Sequence, residues 1–184
     1  MSLTSDEFEA CFDRFTRSAF RLETRDRYTV EEENESIASW RRGEPRPEWS
    51  VRTSPWLRRI AVTTAGGKTW QRVHAVTLPL GEYVTYELAG YVESQACGEQ
   101  IRIVDRTELP ELPGDVWLFD AGTPGAYAVL MDYDQDGRYL GAELTTDAAA
   151  LAALSDICAV AWETSVSLNA FLTTHSRGPL GLTA

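Results

Sequence analysis

The densest chemistry in the sequence lies between Trp40 and Arg72. Trp40, Trp49, Trp56 and Trp70 interleave there with eight basic residues, Arg41, Arg42, Arg46, Arg52, Arg58, Arg59, Lys68 and Arg72. Only two acids, Glu44 and Glu48, oppose them, so the segment carries a net charge of +6. Indole rings stack on bases, and guanidinium groups pair with phosphate in a forked geometry. The pattern therefore suits a nucleotide, an RNA or another phosphorylated ligand, and Arg58, Arg59, Trp70 and Arg72 are the residues that would carry such binding. The plainer expectation is that the tryptophans anchor a proline-rich loop and the arginines pair with nearby acids such as those of Glu31–Glu35. A whole-chain charge of −11 favours the plainer expectation, because it repels polyanions at long range. Tyr83 and Tyr86 are three apart on a helical stretch and share a face. With Arg72 and Arg102 they would line a pocket for an anion or a planar ring. Half-buried packing tyrosines with wet hydroxyls are the commoner arrangement.

A second pattern is Asp132-Tyr133-Asp134-Gln135-Asp136-Gly137 followed by Glu143. It places carboxylates at positions one, three, five and twelve and glycine at six, as a calcium-binding EF-hand loop requires. Such a loop needs a helix on each side. Here period-2 alternation flanks it, and Asp-Gly between alternating runs is a hairpin signal. Asp132, Asp134, Asp136 and Glu143 are accordingly read as a hairpin turn, and no metal site is expected. Catalytic constellations have little support. His74 shares a strand face with Trp70, Arg72 and Val76, and the other histidine, His175, falls near a polar tail. Cys11, Cys97 and Cys158 lack ligand spacing. No phosphate-cradling glycine loop or nucleophile-elbow motif occurs, so no cofactor is expected.

The whole chain must position these residues. Its 184 residues suit one domain, and 43% apolar content with six Trp, seven Tyr and six Phe can bury a core without metals or disulfides. The order is expected from about residue 5 to 173. Three unpaired cysteines point to a reducing compartment, and no stretch reads as a signal peptide or a membrane span, so a cytoplasmic location with no membrane contact is expected. From Asp105 to Glu163, twelve acids face Arg106 and Arg138, a net of −10. A +6 segment beside a −10 segment suits oriented docking to a protein partner.

Periodicity gives the elements. Phe8, Phe12 and Phe15 predict an amphipathic helix over 5–20, capped at Ser5. A short helix is expected over 31–40, an extended loop over 43–56, and a helix from Pro55. A strand over 68–78, a helix over 81–96 and strands over 101–104 and 116–119 follow. A hairpin spans 126–145, turning at 134–137, and one long, well-buried helix spans 147–172. Together these predict a single α+β domain: a mainly antiparallel sheet of four to five strands, packed by a long C-terminal helix and N-terminal helices.

The strings FDRFTRSAFRLET (12–24), GKTWQRV (67–73), YELAGYVESQACGEQIR (86–102), WLFD (117–120) and DGRYLGAEL (136–144) resemble DUF6879, a family of actinobacterial proteins of unknown function. The resemblance covers nearly the whole chain. It implies a regulatory or toxin–antitoxin-like setting beside a helix-turn-helix regulator, and it implies no catalytic residues. The leading expectation is therefore a non-enzymatic regulatory or protein-interaction domain with a protein partner, and no direct nucleic-acid contact. The alternative is a small enzyme or toxin acting on a nucleotide or RNA through segment 40–72. A passive small-molecule binder is the third.

Overall fold

The computed structural model describes residues 2–45 and 49–175. Thr4, one residue before the expected cap, opens the first helix. Its hydroxyl accepts from the Glu7 N–H, and the Glu7 carboxylate accepts from the Thr4 N–H, a reciprocal capping box. That helix, α1 (Ser5–Arg14), buries Cys11 and Phe12 and ends at Phe15, whose ψ of 151° is extended. Residues 18–20 are thus not its last turn. They begin a strand, β1 (Ser18–Glu23).

The cause of that break lies far along the chain. Asp120 sits at φ 51°, a left-handed conformation that Asp tolerates. Its carboxylate accepts the backbone N–H groups of Thr16 at 2.7 Å, Arg17 at 2.6 Å and Ser18 at 3.0 Å. Three consecutive donors are drawn away from helical geometry, and no local pattern at 15–20 announces it.

After β1 the chain passes through a 3-10 turn (Glu31–Glu33), α2 (Asn34–Arg41) and α3 (Pro55–Ala65), then returns as β2 (Thr69–Val76) parallel to β1. Pro55 starts α3 without losing a helical bond, and the Ser54 hydroxyl accepts the Leu57 N–H. Helix α4 (Glu82–Ala96) leads to β3 (Glu99–Asp105), parallel to β2. On the other side of β1, strands β4 (Asp115–Phe119), β5 (Tyr127–Tyr133) and β6 (Tyr139–Thr145) form an antiparallel meander. Helix α5 (Ala148–Thr164), strand β7 (Val166–Ser167) and helix α6 (Leu168–His175) complete the described chain.

The result is a mixed sheet in the order β6-β5-β4-β1-β2-β3-β7, with β1 at its centre. The α+β expectation holds, but the sheet has seven strands rather than four to five. The two extra are β1, taken as helix, and the short edge strand β7. The expected single C-terminal helix is two. Arg102 breaks it: its guanidinium donates to the Ser165 hydroxyl at 2.9 Å and to the Ser165 carbonyl, and Ser165 turns extended. Nor is α5 buried all round. It is apolar mainly because of alanine, and only Leu154, Cys158 and Ala161 are fully buried, on Phe20, Leu22, Val73 and Leu118. The opposite face packs α1 and α3 on Ala19, Trp70, Trp117 and Phe119. Burial on both faces makes β1 read as near-continuous core.

Burial alone would raise the Asp120 carboxyl, but the Ser18, Thr16 and Arg17 N–H groups outweigh it and hold the group below its usual range. Its contribution is present at neutral pH and lost as pH falls through that lowered value. Asp120→Ala, which orphans three backbone donors, should cost about 3 kcal/mol or more in denaturant unfolding at pH 7, and Asp120→Asn clearly less. A loss below about 1 kcal/mol for the alanine variant would show that this carboxylate does not set the helix-to-strand break.

Candidate functional site

Alternation along β1 sends Phe20 and Leu22 to one face and Arg21 and Glu23 to the other. Parallel register places Arg21 beside Arg72 and Glu23 beside His74 on β2. Glu99 enters from β3 and Asp115 from β4. The five charged side chains join into an alternating chain across four strands. Arg72 Nε reaches Glu99 Oε1 at 2.9 Å, and Arg72 Nη1 reaches Glu23 Oε2 at 2.7 Å. Arg21 Nε stands 3.4 Å from Glu23 Oε1, and Arg21 Nη2 2.6 Å from Asp115 Oδ2. None of the five side chains is more than 10% exposed. Asp115 is held further by the Thr24 N–H and hydroxyl and by the Tyr28 hydroxyl at 2.5 Å.

Helix α4 lays a second tier over this ladder, with Glu87 and Tyr91 one turn apart. The Tyr91 hydroxyl donates to Glu23 Oε2 at 2.5 Å and lies 3.0 Å from His74 Nδ1. His74 Nε2 is 2.8 Å from the Arg25 carbonyl, which only accepts, so this nitrogen carries the ring proton. Burial pushes the His74 imidazole below its usual range. Burial also works to raise Glu23, but Arg72 and Arg21 outweigh it and keep this carboxylate ionised. Glu87 has no such partners. Burial, reinforced by the Glu23 charge, lifts its carboxyl well above the usual range. Its Oε2 is buried without a hydrogen-bond partner and stands 3.9 Å from His74 Nδ1. Two neighbouring carboxyl groups are thus shifted in opposite directions, Glu23 down by its arginines and Glu87 up by burial and by the Glu23 charge.

A cavity of about 460 Å³ opens over this arrangement. Tyr28, Tyr83, Tyr133, Tyr139 and Phe8 give it aromatic walls. Glu9, Glu23, Glu33 and Glu87 face one base, Arg21. The Tyr83 hydroxyl donates to Glu33 Oε2 at 2.7 Å, and burial raises the Glu33 carboxyl. Tyr28 is placed by the hairpin tip. The Thr29 N–H donates to the Gly137 carbonyl at 2.9 Å and the Thr29 hydroxyl to the Asp136 carbonyl at 2.7 Å. Gly137 has φ +79°, and a Cβ there would stand 2.3 Å from the Arg27 carbonyl oxygen. Only glycine allows both that φ and that approach.

Residues 6–173 match the family model described as domain of unknown function (DUF6879). The chain belongs to the DUF6879 family. No curated protein matches it. Its cavity must therefore be read from its own chemistry.

In this DUF6879 domain the residues that the sequence singles out do not converge. Arg72 joins the buried ladder and Tyr83 lines the cavity. Trp70 is fully buried, its indole N–H donating to the Thr63 hydroxyl at 2.8 Å. The Tyr86 hydroxyl meets the Ser36 hydroxyl at 3.0 Å. Arg58 is exposed and donates to the Arg52 carbonyl, while Arg59 pairs with Glu9 and Asp13 of α1. Arg102 lies against Ser165 and Trp162. Trp40 and Trp49 meet Tyr86 edge-on, and Trp56 meets Trp70 and Trp117. Arg41 and Arg42 pair with Glu82, Glu44 and Glu35. Arg46 and Glu48 lie outside the described residues.

Asp132, Asp134, Asp136 and Glu143 fall on the β5–β6 hairpin. Asp134 Oδ1 accepts the Asp136 and Arg138 N–H groups at 2.9 Å each, and Glu143 lies opposite Leu130. Among the described residues no group of three or more His, Cys, Asp or Glu side chains could hold a metal ion. His175 ends α6, stacked on Phe171 at 4.0 Å. No helix among the described residues is long and apolar enough to cross a membrane.

Sequence reasoning misses Arg21, Glu23, Asp115, Tyr28 and Glu87. The available signal was alternation in SAFRLE, with charged residues in the buried register, and it matches the Trp70, Arg72, His74 face of β2. Glu87 supplies a pH test. A carboxyl raised by folding contributes stability below its unfolded value and loses it as pH rises through the folded value. Glu87→Gln should therefore gain melting temperature relative to the parent as pH rises above about 4.5, the two converging in acid. A difference independent of pH would place Glu87 in an ordinary solvated environment.

Proposed function

We propose that this domain binds a small organic cation, an ammonium or guanidinium compound, in the cavity over the charge ladder. The observation that carries the reading is Glu87: a largely enclosed carboxyl whose buried Oε2 has no hydrogen-bond partner, in a cavity walled by tyrosines. Aromatic faces attract cations through the ring quadrupole, and more strongly when both are desolvated. Glu9, Glu23, Glu33 and Glu87 against Arg21 alone give the cavity carboxyl groups that a cation can pair with. A ligand cation beside Glu87 supplies the counter-charge it lacks, so binding should be accompanied by proton release.

Binding is favoured over turnover by the state of the other polar groups. Arg21, Arg72, Glu23, Glu99, Asp115 and Tyr91 hold one another in contacts of 2.5–3.4 Å, which leaves no primed nucleophile among them. The nucleotide or RNA reading of segment 40–72 draws less support, because its tryptophans pack against protein and several of its arginines are ion-paired. A regulatory domain that works with a protein partner, such as a helix-turn-helix regulator, is the wider setting we propose. The sequence's charge split supports it.

The test is a thermal-shift panel of primary amines, quaternary ammonium compounds and guanidinium compounds at matched ionic strength. At least one class should raise the melting temperature with the concentration dependence of mass action. The shift should vanish in Glu87→Gln, and calorimetry in buffers of different ionisation enthalpy should register proton release. No shift from any class, or equal shifts in the variant, would contradict the reading.

A further inference from the structure

A second cavity, of about 400 Å³, is lined by the start of the segment that follows β1. Thr24 and Arg25 come directly after β1 and Arg106 directly after β3, and the lining Asp26 holds the Thr77 N–H that follows β2, so the cavity sits outside the carboxyl ends of the three parallel strands. In open sheets with parallel strands this is where ligands collect. Its walls carry three arginines, Arg25, Arg27 and Arg106. In the acid-rich stretch from Asp105 to Glu163, Arg106 is one of only two bases, and it folds back to this place.

Two of the arginines are anchored and incomplete. Arg25 Nη2 donates to the Asp134 carbonyl at 2.5 Å, and Arg106 Nη2 to the Ala75 carbonyl at 3.0 Å. Main-chain carbonyls fix both guanidinium groups without neutralising them. The Nε atoms of both are buried and have no hydrogen-bond partner. Arg27 is exposed and makes no ion pair among the described residues. Two carboxylates share the rim. Asp26 Oδ1 is taken up by the Thr77 N–H at 2.8 Å, and Asp136 lies on the hairpin tip. Three cations against two anions leave the cavity positive in a chain of charge −11.

We infer that this cavity binds a phosphate group, as the free anion or as a small phosphomonoester. Guanidinium forks match phosphate oxygens in geometry, and arginines held by neutral carbonyls keep their full charge for a ligand. The overall negative charge opposes a polyanion, and the volume suits a small molecule, so a nucleic-acid strand is not the occupant. The inference is independent of the cation reading, since it rests on other residues and another cavity.

The experiment is a titration of the full chain with inorganic phosphate and, separately, with glycerol 1-phosphate, against sodium chloride at matched ionic strength. The arginine Nε–Hε signals report it by NMR. Saturable shifts of the Arg25 and Arg106 signals are expected with phosphate and not with chloride. Arg27→Gln, at a side chain with no ion pair among the described residues, should weaken binding by about tenfold. Arg106→Gln should weaken it further, with circular dichroism confirming that the variant folds. Tighter binding of the ester would assign an organic phosphate, and equal binding the free anion. Shifts no larger than those with chloride, or binding unchanged in both variants, would overturn the proposal.

Discussion

Five alternating charges, Glu99, Arg72, Glu23, Arg21 and Asp115, cross the centre of the sheet with almost no contact with water. Charges taken out of water are tolerated only when each finds its partners with good geometry. That condition constrains much of the molecule. Strand β1 must be central, because it supplies two of the five. The α1–β1 break must be held, because about two more helical turns would take Arg21 out of the sheet. Loop 24–30 must return over Asp115, because Thr24 and Tyr28 complete its acceptors. Helix α4 must lie with Tyr91 toward Glu23.

Another constraint fixes α4 on its outer side. Gly90 leaves room for the Trp49 ring, which an added Cβ would meet at 1.6 Å. The tryptophan-rich segment thus works as packing around α4, and Trp49 holds Ser36 through its indole N–H at 3.1 Å. The hairpin has a comparable structural role. Its acidic tip and Gly137 hold the loop that carries Arg25, Arg27 and Tyr28, and that loop lines both cavities. Its Tyr28, Thr29 and Val30 line the cavity of carboxyl groups and tyrosines, and its Thr24, Arg25, Asp26 and Arg27 line the cavity of arginines.

Much of the fold is legible in the sequence because it follows local rules. Pro55 and Ser54 start α3, Cys97-Gly98 ends α4, and Asp-Gly turns the β5–β6 hairpin within a residue or two of the expected places. What escapes depends on distant partners. The Phe8, Phe12 and Phe15 stripe would run on into Ala19, and it is Asp120, just past the end of β4, that draws Thr16, Arg17 and Ser18 out of the helix. The apolar run 147–172 looks continuous until Arg102 takes the Ser165 carbonyl. The site itself is obscured for a related reason. Arg21, Glu23 and Glu99 read as surface residues, since the pattern that marks a buried face is apolar. The alternation of β2 does bring Arg72 and His74 to one face, and with β1 recognised as a strand the ladder would have been half visible.

The most direct test of the ladder is a double-mutant cycle on Arg72 and Glu23, measured by denaturant unfolding. Arg72→Met alone should cost about 3–5 kcal/mol, because it strands two buried carboxylates. Adding Glu23→Gln should return part of that loss, with a coupling above about 1 kcal/mol. Effects additive to within about 0.5 kcal/mol would mean that the two side chains are energetically independent, and the sheet would not be organised around their charges.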